Sequence, residues 1–207
     1  RRGVGLSASR DQGRELRESS AAWLGGAAPP RCMLALTSIA WRESWKYGER
    51  AYRYCQHDAG HALAAVRFAA AMHGWSARVL GDLGDEAIAR LAGLDRDDAD
   101  HEGERETPDM LLLIDCASGR ESPPVAVDES FVEAVAAGEW SGRANQLSTE
   151  HHDWPAIDVA ERTCRKDAGW PDDLAPLAAD TSGPPDANSG FTAGRIIRQR
   201  RSAVAMD

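Results

Sequence analysis

Long apolar runs are missing from this 207-residue chain. No stretch approaches the ~18–20 residues that a membrane span needs. A basic excess is missing too: 24 Lys and Arg stand against 33 Asp and Glu, a formal charge of -9. A broad nucleic-acid footprint is therefore not expected, because phosphate binding needs a positive field. Aromatics are scarce at 6%, although seven of them are Trp. The four cysteines, at 32, 55, 116 and 164, form no CxxC pair. Their wide spacing argues against a zinc knuckle or a dense disulfide framework. Reduced thiols of a cytoplasmic protein are the expected reading, and a secreted two-disulfide protein is the alternative. Gly, Ser and charges follow Arg1 and Arg2, so no signal-peptide h-region is read there. There is no GxSxG elbow, no GxxxxGK[ST] phosphate loop and no GxGxxG fingerprint. Cys116 and Ser118 have no histidine that sequence can pair with them.

What remains is the balance of a soluble globular domain, 43% hydrophobic and 28% charged. A short helical patch is read over 15–24, ended by Pro29-Pro30. The apolar run 32–40 predicts a buried strand. The clearest helix spans Gln56 to His73, where Ala59, Ala62, Leu63, Val66 and Ala70 recur at helical spacing and Gly74 stops it. Residues 78–81 read as a short extended piece, and 84–93 as a short helix ending at Gly93. The charge run from Asp95 to Arg105 reads as a solvated loop. Met110 to Ile114 is fully apolar and predicts a strand covered on both sheet faces. After a Ser/Pro-rich connection over 117–128, a short helix is predicted over 129–137. Asp153 is the predicted cap of a helix beginning at Trp154-Pro155, with Ile157, Ala160 and Cys164 on its apolar face. Residues 169–190, rich in Pro, Gly, Ser and Asp, read as a linker. The tail then turns basic, with Arg195, Arg198, Arg200 and Arg201.

Three constellations carry candidate chemistry. His57 and His61 share one helix face at the spacing of a zinc site, with Asp58 between them. Asp58 is short, Gly60 interrupts the helix and no third ligand is apparent, so helix-surface histidines are expected instead. His151-His152-Asp153 are adjacent, a poor chelate, and read as a cap beside two surface histidines. Lys46 and Tyr47 are neighbours within an aromatic-basic stretch, 41–54. A lysine beside a tyrosine can act as an acid–base unit, because the ammonium favours the tyrosinate. The plain alternative is a surface lysine lying beside a packed ring.

The order Arg42, Lys46-Tyr47-Gly48, Arg50, Tyr52-Arg53 and Asp58-Ala59-Gly60-His61 resembles the central signature of the SagB-type dehydrogenases in the nitroreductase superfamily. Gly74-Trp75, Gly81-Asp82, Leu91 to Leu94 and Glu106-Thr107-Pro108 follow in the same order, so the resemblance covers 32–115. The tail from Ile196 to Ser202, with Met206-Asp207, resembles the start of a second such unit. The resemblance implies an α+β fold: a central, mainly antiparallel sheet flanked by helices, here incomplete. It divides the chain into the C-terminal part of a first unit (1–136), an inter-unit segment and linker (137–190) and the start of a second unit (191–207).

FMN is the implied cofactor, with hydride passing between flavin and a small-molecule or peptide-azoline substrate. The missing half-units, or a second copy, would complete the flavin site, so the isolated chain is expected to bind FMN weakly or not at all. Carried over residue by residue, Lys46 and Tyr47 are the implied catalytic pair. Gly81 and Asp82 are implied backbone contacts to the flavin ring, and Arg200 and Ser202 match an Arg-x-Ser flavin contact. Val204 departs from the family's basic residue two positions beyond that serine. No metal belongs to this scheme, and neither nucleic acid nor membrane is an expected partner. A flavin-free binding or scaffold protein on the same fold is the rival reading.

Overall fold

The computed structural model describes residues 31–96, 103–116, 127–140, 144–168 and 190–201. The helical patch at 15–24, nearly all of the 169–190 linker, Ser118, Ser202 and Val204 lie outside them. The chain divides into two units, Arg1–Asp172 and Asp173–Asp207.

In the first unit, three strands form an antiparallel sheet in the order β1-β3-β2: β1 (Arg31–Ser38), β2 (Ser76–Val79) and β3 (Thr107–Asp115). The helices are α1 (Ala40–Tyr47), α2 (Ala51–Met72), α3 (Asp85–Ala92), α4 (Glu129–Ala136) and α5 (Pro155–Cys164). One 3-10 turn, Gly48–Arg50, joins α1 to α2. The chain is thus mixed α+β, a small antiparallel sheet flanked by helices.

β3 is central, and its composition follows from that place. Leu111, Leu112 and Leu113 are all buried. Alternation sends Leu111 and Leu113 to one face, where they join Leu80, Leu83 and Ile88 with Met33, Ala35 and Leu91 around them. Leu112 and its ladder partners Leu34 and Val79 belong to the other face. α3 packs against β3 and β1, and α2 packs against all three strands. The doubly covered strand expected from the apolar run is therefore present. The β1–β3 register shifts between Leu36, opposite Met110, and Thr37, opposite Pro108. Asp109 is the extra residue of this bulge, beside a proline that has no N–H to give to a ladder.

α2 begins at Ala51, five residues before the helix expected from sequence. Its buried side, Ala51, Cys55 and Ala59, extends the small-residue stripe backwards at i, i+4 spacing through the aromatic-basic stretch. A second core cluster forms where Ala51 and Cys55 meet Ala40 and Ile157, with Tyr47, Tyr52 and Trp154 packed on it. Residues 144–168, read from sequence as inter-unit chain, thus supply part of the first unit's core. They also close over the start of α3: Asp85 N–H donates to the Lys166 carbonyl at 2.8 Å, and Lys166 N–H donates to Asp85 Oδ2 at 2.9 Å.

Two sequence expectations need correcting. Asp153 does not cap α5; the N-cap is Trp154, with no side-chain cap bond, and Pro155 begins the helix. Proline is tolerated at this first helical position because it has no N–H to leave unsatisfied there. The charge run is not wholly solvated, because Glu104 is only 1% exposed. In the second unit, α6 (Ala193–Gln199) starts at Thr192, whose hydroxyl accepts from Arg195 N–H at 3.3 Å.

Candidate functional site

Lys46 and Tyr47 close α1, and the Gly48–Arg50 turn carries the chain away from them. Tyr47 is half-buried on the Ala40–Ala51–Cys55–Ile157 cluster. Its ring stacks on Tyr54 with centroids 4.0 Å apart. Lys46 is exposed, with its Nζ 4.8 Å from the Tyr47 ring centroid. A hydrogen bond to Tyr47, then the charge interaction with it, hold the Lys46 ammonium above the ordinary lysine value. The shift favours the charged form of the lysine.

Gly81 and Asp82 occupy the turn between β2 and α3. Nothing lies within 4 Å of the position a Gly81 Cβ would take, and the Gly81 carbonyl accepts from Lys166 Nζ at 3.4 Å. Among the described residues, no hydrogen bond, ion pair or ring contact joins this turn to the Lys46–Tyr47 pair. Arg200, in the second unit, is exposed at the C-cap of α6 and gives its backbone N–H to the Ile196 carbonyl at 2.8 Å. Its expected companion Ser202 lies outside the described residues.

His57, Asp58 and His61 are exposed on α2. His61 Nδ1 lies 2.9 Å from the His57 carbonyl and 4.0 Å from Asp58 Oδ1. Among the described residues, no group of three potential ligands is assembled.

Among the described residues, the most elaborate polar site is one that the sequence reading missed. The Glu104 carboxylate lies under the loop of residues 144–151. It accepts from Arg42 Nε at 2.8 Å, from Leu147 N–H at 2.8 Å and from Ser148 N–H at 3.0 Å. The Arg42 terminal nitrogen stands 2.7 Å away, and His151 Nε2 is 3.4 Å away. Arg42 also reaches the Asn145 carbonyl. Trp41 completes the clamp, its ring 4.5 Å from that of His151 and its Nε1–H donating to the His152 carbonyl at 3.0 Å. Gly103 allows the close approach: its φ is +78°, and a Cβ there would meet the His151 ring at 2.7 Å. His151 is therefore no surface histidine; its side chain is 19% exposed. These donors are engaged within the chain, so this site holds the 144–151 loop onto α1.

A second polar group forms at the bulge. Asp109 accepts from the Ser38 hydroxyl and from Gln56 Nε2, the latter at 2.9 Å. Burial raises its carboxyl above the usual aspartate range, against the effect of both hydrogen bonds. Burial likewise pushes the adjacent Cys55 thiol up to about 11, so that sulfur is an inert packing group.

No family model matches the chain, and neither a curated protein nor a solved structure matches it.

Proposed function

We propose that this chain serves an FMN-dependent oxidoreductase of the nitroreductase superfamily, SagB-type. It would pass hydride between flavin and a small-molecule or peptide substrate, with Lys46 and Tyr47 managing a substrate proton. The observation that carries the reading is the pair itself. An exposed ammonium lies 4.8 Å from the ring centroid of a tyrosine that stacks on Tyr54 and packs on the core beneath it. These two residues stand inside the 42–61 run that resembles the family signature. The Tyr47 hydroxyl takes or gives the proton, and Lys46 stabilises the oxygen when it is negative.

The fit to FMN is partial. Gly81 leaves open space over its backbone, as close approach to a flat ring requires. A crease between α2 and β2, lined by Leu63, Arg67, Ala77, Arg78 and Val79, holds about 170 Å³. That is below the roughly 300–1,000 Å³ of ordinary small-molecule sites. This crease is therefore too small for a flavin, and a second copy or further half-units would complete the site. The shortfall also favours a second reading, a flavin-free binding or scaffold protein.

The visible spectrum and an FMN titration by fluorescence separate the two. A flavin-loaded protein in which Lys46→Ala or Tyr47→Phe cuts turnover about 10²–10⁴-fold, with flavin content unchanged, supports the first. Parental turnover in both variants would remove the pair from catalysis. A colourless protein that gains nothing from added FMN, alone or with a completing partner, supports the second.

A further inference from the structure

Two thiols away from that site stand side by side. Cys32 lies on β1, and Cys116 directly follows the last residue of β3. In the ladder, Arg31 faces Asp115 and Cys32 faces Ile114. Cys116 is two positions beyond Ile114, so it is the diagonal neighbour of Cys32 on the same sheet face. Both cysteines are free; Cys32 is exposed and Cys116 is partly so. The register at this end is pinned by the Arg31–Asp115 ion pair, 3.1 Å long. Among the described residues, Cys116 lies past the last ladder pair, so its backbone is free of ladder restraint there to reach the Cα spacing of about 4.4–6.8 Å that a disulfide demands. Of the other two cysteines, Cys55 is buried in the core cluster with Ala40, Ala51 and Ile157, and Cys164 is exposed at the end of α5.

We propose that Cys32 and Cys116 form a reversible disulfide that staples β1 to the end of β3 when a low-molecular-weight disulfide oxidises them. One protein thiol loses its proton to solvent and attacks a sulfur of the oxidant, expelling a thiolate. The second protein thiol then loses its proton and attacks the protein sulfur of the mixed disulfide, expelling the other thiolate. The chain gives up two electrons and two protons, and the oxidant becomes two thiols. In a reducing compartment such a bond is a redox sensor rather than a permanent brace. Partial shielding from solvent, and next the neighbouring Cys116 sulfur, raise the Cys32 thiol above its ordinary range. Thiolate is therefore scarce at neutral pH, and equilibrium rather than rate is the proper readout.

The test equilibrates the full chain with glutathione and glutathione disulfide, traps free thiols by alkylation and maps the peptides without reduction. The chain should lose two of its four free thiols, Cys32 should be found joined to Cys116, and dithiothreitol should restore all four. Cys32→Ser and Cys116→Ser should each prevent the link and leave the remaining partner carrying glutathione. The urea midpoint should rise on oxidation of the parent and not of Cys32→Ser. Four thiols that stay free, glutathione adducts without an internal link, or a link that goes mainly to Cys55 or Cys164 would each overturn the proposal. The peptide map of the parent decides the matter even if a serine variant fails to fold.

Discussion

Removing the Glu104 carboxylate should be among the most damaging single changes in the first unit. The side chain is 1% exposed and serves Arg42, Leu147 N–H, Ser148 N–H and His151 together. Glu104→Ala leaves the Arg42 guanidinium, itself only 24% exposed, without its counter-charge, and two backbone N–H groups without their acceptor. Breaking a buried pair from one side costs about 3–5 kcal/mol. Glu104→Gln keeps the shape and one acceptor but loses the charge, which suggests about 1.5–3 kcal/mol. Either figure is a large share of the ~5–15 kcal/mol that holds a domain together. Urea unfolding followed by Trp fluorescence reads both, since Trp41 stands beside His151 in the clamp.

The pH dependence gives an independent check. Burial alone would raise the Glu104 carboxyl, but the Ser148 N–H, Arg42 and the Leu147 N–H together hold it below its ordinary 4.5. A depressed folded value means that the stabilisation is fully present above about 4.5 and is lost as pH falls through the folded value. The gap between parent and Glu104→Gln should therefore be widest near neutrality and shrink in acid. A loss under about 1 kcal/mol for Glu104→Ala, or a gap that widens in acid, would refute the account of a charged, buried clamp.

Two further stability predictions rest on single contacts. Gly93→Ala places a side chain at φ +69°, with its Cβ 2.6 Å from the Trp140 ring. A loss of about 2–5 kcal/mol should follow, from left-handed strain and overpacking together, and an unchanged thermal midpoint would refute both contributions. Asp128 caps α4 by accepting from Phe131 N–H at 3.0 Å, so Asp128→Ala should cost about 0.5–2 kcal/mol while Asp128→Ser recovers most of it in the same urea assay.

The legible parts of this fold are those decided by neighbours along the chain. The apolar runs at 32–40 and 110–114 became adjacent strands because a half- or fully buried strand needs apolar residues within one short segment. Gly93 ended α3 in the left-handed conformation that glycine adopts most readily. Small residues at i, i+4 spacing marked most of α2. Its first turn was obscured because Tyr52, Arg53 and Tyr54 carry no helical period of their own, while Ala51 and Cys55 beneath them do. Lys46 and Tyr47 were legible as neighbours, but the stacking of Tyr47 on Tyr54 and the exposure of Lys46 depend on geometry that adjacency does not specify.

Glu104 was illegible for the opposite reason. Its partners lie 62, 43, 44 and 47 positions away, at Arg42, Leu147, Ser148 and His151. Nothing local distinguishes it from the other acids of the charge run, and a charge run is ordinarily solvated. Burial of a carboxylate is tolerable only where donors converge on it, and convergence belongs to topology rather than to periodicity. The bulge at Asp109 lies between these cases. Pro108 was visible, and a proline near the start of a strand already points to a broken ladder. That the freed residue would be an aspartate turned toward Ser38 and Gln56 required β1 and α2 to be in place. The same dependence on register brings Cys32 and Cys116 together: the four cysteines look unrelated along the chain, and two become neighbours once Cys32 is set opposite Ile114.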